Sequence, residues 1–360
     1  MRTDPFTRTP GIAGEAFINM HYADSIIESF RNPVSSKYVY KIVGLRGSGK
    51  SVEYSKIIEL FSNENGWKVY TLSAAGNPTE TLISKLSREK FADSTLHSSS
   101  LNVSAGAGGN VGFLNGNASI SLTKGTEYNS LYYSAEASLS ELVDKANNAG
   151  YRLLIGIDDI SKSEAMVRFL SILGSLLLER KKIYLVCTGL SRSIEEFGDE
   201  PSLSFFKRSD SVEVSSLDKF EVAYMYRKLL NISEEESVQL AKFVRGYAYA
   251  YQVMGTLYFN KMENEQFDDL LPEFDKIMAQ DSYDLIWKSL TETEQELVKI
   301  ILRSEGGRVS DVKQQLRNPQ SFDTLRNRLV KKHLVTNTER GRIAVNLPRF
   351  KEFVDLWVSD

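Results

Sequence analysis

Cysteine and histidine are almost absent from this 360-residue chain, which has one of the first and three of the second. With Cys187 alone there is no disulfide framework and no thiolate set for zinc, and His21, His97 and His333 are too far apart in sequence to suggest a histidine metal site. No run approaches the roughly 18 apolar residues of a membrane span. The opening Met1-Arg2-Thr3-Asp4-Pro5 also lacks the apolar stretch of a secretion signal. The expectation is a cytoplasmic protein without membrane contact. An excess of one charge is missing as well: 44 Lys and Arg against 47 Asp and Glu leave a net charge of −3, so any basic surface is local. The hydrophobic fraction of 42% and the charged fraction of 25% are those of a globular protein, and the length suits two or three domains.

Hydrophobic periodicity alternates between strand and helix over the first half. A helix is expected over Ala23–Arg31, then a β-branched and aromatic strand over Lys37–Val43, a helix over Lys50–Ser62, a strand over Trp67–Leu72 and a helix over Pro78–Leu86. Alternation resumes with a helix over Leu131–Asn148, a strand over Leu153–Ile157, a helix over Ser163–Arg180 and a strand over Lys182–Cys187. Such alternation predicts an α/β fold with a parallel sheet and crossover helices. Between them, residues 94–129 are rich in Ser, Gly and Asn and read as an inserted β-hairpin or loop. From Ser216 the pattern is helical, over Lys219–Leu230, Glu234–Phe243 and Tyr247–Lys261. Near Ile286 a third pattern begins, with helices over Glu292–Arg303, Val309–Leu316 and Ser321–Lys332. A hairpin of Leu334–Asn337 and Arg342–Val345 follows, around Thr338–Gly341. Three helices and a β-wing predict a winged helix-turn-helix. The expected division is a P-loop domain over 1–215 with the insertion inside it, a small helical lid over 216–283 and a winged helix over 284–360.

The strongest motif is Gly44-Leu45-Arg46-Gly47-Ser48-Gly49-Lys50-Ser51, a complete G-x-x-x-x-G-K-S loop after an apolar strand and before a helix. Its glycines let backbone N–H groups curl around phosphate oxygens, Lys50 reaches the β- and γ-phosphates, and Ser51 ligates magnesium. Gly44, Leu45, Arg46, Gly47, Ser48, Gly49, Lys50, Ser51 and Val52 are therefore the expected ATP-binding residues. The apolar strand Leu153–Ile157 ends in Asp158-Asp159. Asp158 is placed to hold the magnesium with Ser51, and Asp159 stands where a carboxylate would polarise the attacking water. An aspartate reaches one methylene less than a glutamate, so slow hydrolysis is expected. Thr188 closes the strand Leu185–Cys187, and Cys187 is read as a buried small hydrophobe.

Taken together, these motifs resemble the bacterial AAA+ ATPases with an origin-recognition-type (initiator-like) module, near the signalling STAND branch of P-loop ATPases. The resemblance covers about residues 4–357. Thr188 is similar to the residue that senses the γ-phosphate at that position in AAA+ proteins, which makes it a candidate sensor by resemblance. Asp4-Pro5-Phe6-Thr7-Arg8-Thr9-Pro10-Gly11 is similar to the opening segment that lies by the adenine. The Gly-Arg-Glu that often follows is replaced by Phe17-Ile18-Asn19-Met20. Phe205-Phe206-Lys207-Arg208 is similar to the segment carrying an arginine before the lid, which implies that Arg208 reaches a γ-phosphate, in cis or across a homo-oligomer. Arg245-Gly246-Tyr247-Ala248-Tyr249-Ala250-Tyr251-Gln252 resembles a lid helix start that packs near the nucleotide, in which proline usually stands at position 248.

Between Lys299 and Lys351 there are thirteen Lys and Arg against four Asp and Glu, giving +9 in a chain that is net acidic. Arg326, Arg328, Lys331 and Lys332 crowd the last helix, and Arg340 and Arg342 lie on the wing. Two functions follow as expectations. In one, slow hydrolysis of ATP with magnesium switches binding of duplex DNA through residues 299–351. In the alternative, a STAND-type switch, the winged helix folds back in autoinhibition or binds protein.

Overall fold

The computed structural model of the chain describes residues 3–92, 127–336 and 341–358. Five parallel strands form one sheet in the order β2-β3-β4-β1-β5: β1 (Val39–Val43), β2 (Trp67–Leu72), β3 (Arg152–Ile157), β4 (Ile183–Gly189) and β5 (Asp210–Glu213). Strand β3 is apolar at nearly every position because both of its faces are covered. Leu153, Ile155 and Ile157 pack among Leu82, Leu142 and Phe169, on α3 (Pro78–Leu86), α4 (Glu127–Asn148) and α5 (Glu164–Leu178). Leu154 points the other way, into a core with Phe30 and Phe61 from α1 (Tyr22–Arg31) and α2 (Lys50–Ser62). Local chemistry sets the helix starts. Asn77 accepts the Glu80 N–H ahead of Pro78, and Ser163 accepts the Met166 N–H.

The expected α/β class and parallel sheet are what the structure has, with differences in detail. Strand β5 was not anticipated. It is short and polar, and it is held at the sheet edge by pairing with β1 from Tyr40↔Asp210 to Val43↔Glu213. Two short helices, α6 (Ser191–Glu195) and α7 (Ser204–Arg208), lead into it. The hairpin expected over 94–129 falls largely outside the described residues, and α4 already begins at Glu127, inside that stretch.

The remainder is mostly helical: α8 (Lys219–Leu230), α9 (Glu234–Val244), α10 (Ala248–Asn260), α11 (Leu271–Met278), a π-helical turn at Ala279–Tyr283 and α12 (Asp284–Lys288). Then α13 (Glu292–Arg303), α14 (Val309–Gln315) and α15 (Phe322–Lys331) precede an antiparallel hairpin, β6 (Val335–Thr336) with β7 (Ala344–Val345), and α16 (Phe350–Trp357). This is the element order of a winged helix-turn-helix, followed by a helix the periodicity had not marked. The expected wing turn, with Arg340, lies outside the described residues. One hydrophobic core runs through all of these helices, from Tyr226 and Phe274 to Leu297, Phe322 and Phe350. It also takes in Phe6, Ala16 and Ile18 of the opening segment, whose Phe17 ring lies under the Lys56 ammonium of α2.

Candidate functional site

Parallel strands end along one edge, and that edge gathers the motifs. Gly44 follows β1, Asp158 follows β3, and the pairings Ile42↔Thr188 and Ile157↔Cys187 set Thr188 beside both. The loop Gly44–Ser51 turns there through Gly47 and Gly49, whose φ values of 72° and 100° lie in the left-handed region. A Cβ on Gly47 would also come within 2.5 Å of the Tyr247 hydroxyl. No side chain caps the start of α2 at Gly49, so its first-turn amides are open to an anion.

Lys50 is only 8% exposed, and its Nζ donates to the carbonyls of Gly44 at 3.0 Å and Leu45 at 2.8 Å. Burial pushes its pKa down to about 8, against the pull of Asp159 and Asp158. Ser51 Oγ donates to Asp158 Oδ1 at 3.2 Å, and Thr188 Oγ1 donates to the same oxygen. Thr188 Oγ1 also accepts the Asp159 N–H at 2.8 Å, holding Asp159 at a φ of 53°. A hydroxyl has one proton, and here Thr188 gives it to Asp158. In this conformation Thr188 orients the two aspartates and does not face a phosphate with its donor.

The lid side closes directly on the loop. Tyr247 OH donates to the Arg46 carbonyl at 2.7 Å and lies 2.6 Å from Ser282 Oγ. The Tyr249 N–H donates to the Gly47 carbonyl at 3.0 Å, and its hydroxyl donates to Asp281 Oδ2 at 2.6 Å. Arg8 stands 3.9 Å from the same carboxylate oxygen, and the Thr7 N–H donates to Gln252 Oε1 at 2.9 Å. These segments enclose a cleft of about 340 Å³ that includes Lys50, Ser51, Asp158, Asp159 and Thr188. Gln252 belongs to the lid-helix start singled out in the sequence, whereas sequence reasoning missed Asp281 and Ser282. The last two project from the π-helical turn, a geometry without a sequence motif that recurs at functional positions.

Other named residues are placed elsewhere. Arg208 ends α7 just before β5, where the parallel strands begin, whereas the Gly44–Ser51 loop follows β1 where they end. Arg208 does not line the cleft; its Nε donates to the Ser204 carbonyl at 3.2 Å. Gly44, Leu45 and Ser48 do not line the cleft, and Leu45 and Ser48 line a separate small pocket with Val214 and Leu347. At the basic C-terminal helix, Lys332 is committed to the buried Glu294 at 2.7 Å and is not an open cation. The end of α15 also meets the sheet module. Ser191 Oγ donates to the Lys331 carbonyl at 3.3 Å, Lys331 lies 3.9 Å from Glu195, and His333 lies 3.7 Å from Glu213. Arg328 remains exposed. Among the described residues no helix is long and apolar enough to cross a membrane.

Comparison with known proteins agrees with this architecture. A family described as "Domain of unknown function (DUF8462)" matches residues 280–354. No curated protein matches the sequence. Among solved structures, the chain is similar to the ORC2 protein of Aeropyrum pernix in its ADPNP–ADP complexes, at 14% identity over 94% of this chain and 93% of that one, with a TM-score of 0.56. Also similar are Cdc6p from Pyrobaculum aerophilum (14% identity, 96% and 98% covered, TM-score 0.45) and a STAND protein with a tetratricopeptide repeat sensor from Pyrococcus horikoshii (17% identity, 100% and 44% covered, TM-score 0.40). The likeness to ORC2, together with the five-stranded parallel sheet and the lid, shows that this chain has the fold of an initiator-like AAA+ P-loop ATPase.

Proposed function

We propose that the chain binds ATP with magnesium, hydrolyses it slowly, and uses the nucleotide state as a switch on its C-terminal winged helix. One observation carries this reading: Lys50, Ser51 and Asp158 converge on a single cleft whose roof hydrogen-bonds the loop at Arg46 and Gly47. The cleft volume of about 340 Å³ lies in the range of small-ligand sites, roughly 300–1,000 Å³. Ser51 and Asp158 offer hard oxygens 3.2 Å apart, a donor pair that suits magnesium shared with phosphates. When bound, the ion neutralises charge on the phosphate oxygens. With nucleotide bound, Lys50 would exchange its two carbonyl acceptors for phosphate, and Ser51 and Asp158 would hold the ion. Thr188, whose proton goes to Asp158 here, would be able to offer it to the γ-phosphate once that bond is given up. Asp159 orients the attacking water with a shorter reach than glutamate would have, which makes turnover slow.

The switch runs through the π-helical turn. Ser282 and Asp281 touch the residues that contact the loop, and the adjacent Tyr283 donates to the Pro348 carbonyl and packs on Phe350 and Phe353. The contacts of Lys331 and His333 with Glu195 and Glu213 favour a held-back winged helix in this conformation, as in the STAND-type reading. Release would expose the end of α15 to duplex DNA, with Arg328 and Arg342 contributing phosphate contacts. Arg208, set at the opposite sheet edge, is assigned to a neighbouring subunit's cleft in a homo-oligomer.

Calorimetry tests the core of this reading. ATP with magnesium is expected to bind the wild-type chain and not Lys50→Ala; equal binding to both sinks it. Duplex binding at low salt, with and without ATP, tests the output. Absence of affinity in both states removes DNA and leaves the protein-binding switch.

A further inference from the structure

A second cavity, about 560 Å³, opens where the ends of α9 and α13 meet the β6–β7 hairpin and the start of α16. No residue of Gly44–Ser51 lines it, and no residue of α15 does. Its lining carries Lys242, Arg245, Arg342, Arg349 and Lys351 against one acid, Glu352, a formal +4 in a chain whose net charge is −3. These cations come from α9, the α9–α10 turn, the hairpin and α16, so folding and not sequence proximity collects them.

Their surroundings divide them into a frame and a working pair. Arg245 Nη1 donates to the Val345 carbonyl at 3.1 Å, tying the lid to the hairpin. Arg349 grips Asp275 through two bonds of 2.6 Å and lies 3.2 Å from Glu352. These two arginines fix the walls. Lys242 and Lys351 are exposed, and neither has an ion-pair partner among the described residues. No side chain caps α16, whose first turn sits in the cavity beside Lys351, so its amides add partial positive charge. Gly307 lets the hairpin approach closely at the cavity wall: a Cβ there would fall 2.0 Å from the Ile343 carbonyl oxygen, and the Ile343 N–H donates to the Gly307 carbonyl at 2.8 Å.

We propose that this cavity binds a small anion bearing two or more phosphate groups. Lys242 and Lys351 approach the hollow from two elements with no ion-pair partner among the described residues, so two phosphates, at about −1.5 to −2 charges each, give each ammonium a counter-charge. The volume is that of a small-molecule site, roughly 300–1,000 Å³. Of the two arginines assigned above to duplex DNA, Arg342 alone lines this hollow, and α15 contributes nothing to it. A ligand spanning Lys242 on α9 and Lys351 on α16 braces two elements that already share one core.

The probe is sodium tripolyphosphate, titrated calorimetrically into the full chain carrying Lys50→Ala. That substitution silences the loop site, so failure of the ATP reading leaves this test intact. One tripolyphosphate site is expected. Adding K242E and K351E, which brings the formal charge of the lining to zero, should weaken it more than tenfold without moving the melting transition of the unliganded chain. No binding, or unchanged affinity in the charge-reversed chain, overturns the proposal. Equal affinity for sulfate also overturns it, by reducing the cavity to a general anion patch. So does mole-for-mole displacement by a short duplex oligonucleotide that the charge reversals weaken to the same degree, because the cavity is then part of a nucleic-acid surface.

Discussion

ATP binding should take up a proton at alkaline pH, and the quantity follows from the burial of Lys50. In the free chain its ammonium has two carbonyls as acceptors, and the aspartates that attract it are exposed. Its pKa is pushed down to about 8. A triphosphate in contact with Nζ favours the charged form and returns the pKa to its ordinary value of 10.5 or above. The free chain then holds about half a proton on Lys50 at pH 8 and about a tenth at pH 9, whereas the complex is nearly fully protonated. Uptake is therefore about 0.5 proton at pH 8, about 0.9 at pH 9 and less than about 0.05 at pH 6.5. Nucleotide phosphates, with second pKa values of about 6, are already ionised at pH 8–9 and do not contribute.

The assay is calorimetry in buffers of different ionisation enthalpy at constant ionic strength, where the slope of observed against buffer enthalpy counts protons. Affinity should fall by nearly tenfold per pH unit above pH 8. Lys50→Arg supplies the control, since a guanidinium stays charged and its binding, however weakened, should carry no alkaline uptake. A slope near zero at pH 9, or the same slope at pH 6.5 and pH 9, refutes the reasoning. The sign for stability is opposite to that for binding. The unfolded lysine keeps its proton up to 10.5 while the folded one loses it near 8, so the free chain gains stability as pH rises through that window. The gain is about 3 kcal/mol across the window, at roughly 1.36 kcal/mol for each pH unit.

Three further outcomes are open to measurement. If Arg208 serves a neighbour's cleft, Lys50→Ala and Arg208→Ala are each inactive alone, by about 10³-fold or more; mixing them should restore turnover, and a mixture as inactive as its parts excludes the trans role. Gly255→Ala would drive a methyl to 2.3 Å from the Phe6 ring, dislodging the opening segment whose residues 7–12 line the cleft; a loss of about 1–3 kcal/mol in urea unfolding and weaker ATP binding are expected, and unchanged values of both contradict a docked segment. At Glu294, burial opposes ionisation, but the Lys332 ammonium and the Thr291 bonds prevail and hold the carboxyl below its ordinary 4.5. Its stabilisation is present above pH 4.5 and lost as pH falls through the lower folded value. Glu294→Gln should flatten that acid limb and cost about 3 kcal/mol at pH 7; an acid limb identical to wild type in denaturant titrations would show the pair to be inert.

What could be read from the sequence was local. The helix over Lys50–Ser62, the strand over Trp67–Leu72 and the helix over Glu292–Arg303 match because their periodicity and caps lie within a dozen residues, as in the Thr291–Glu294 capping box. β5 escaped because Asp210-Ser211-Val212-Glu213 is polar and its strand state comes from pairing with β1. α16 was readable in principle, since Phe350, Phe353 and Val354 follow helical spacing. At the site, Gly44–Ser51 and Asp158 announce themselves by motif. Arg8, Tyr249 and Asp281 meet only after three distant segments fold together, and no spacing rule relates them. The setting of Arg208 needed strand direction: the residue order of β5 was visible, but not that it runs parallel to β1.

The distribution of cores constrains how any nucleotide signal travels. The sheet has its own core on each face, while the opening segment, the lid helices and the C-terminal helices share one continuous core. Packed cores resist gradual deformation, so the second unit moves as a body. Its links to the sheet module include single hydrogen bonds, Tyr247 to Arg46, Tyr249 to Gly47 and Ser191 to the Lys331 carbonyl, and each is worth only about 1 kcal/mol net. Two of these three end on the phosphate loop itself. A phosphate would take the N–H groups of the loop, whereas the lid bonds use the carbonyls of Arg46 and Gly47. Nucleotide would therefore act on the lid only by reorienting those peptide units, and the shared core would then carry the change to α15 without any hinge between lid and winged helix. Separate movement of the winged helix would require breaking the Arg349–Asp275 pair and the Tyr283–Phe350–Phe353 packing, a larger cost than releasing the whole unit from the loop.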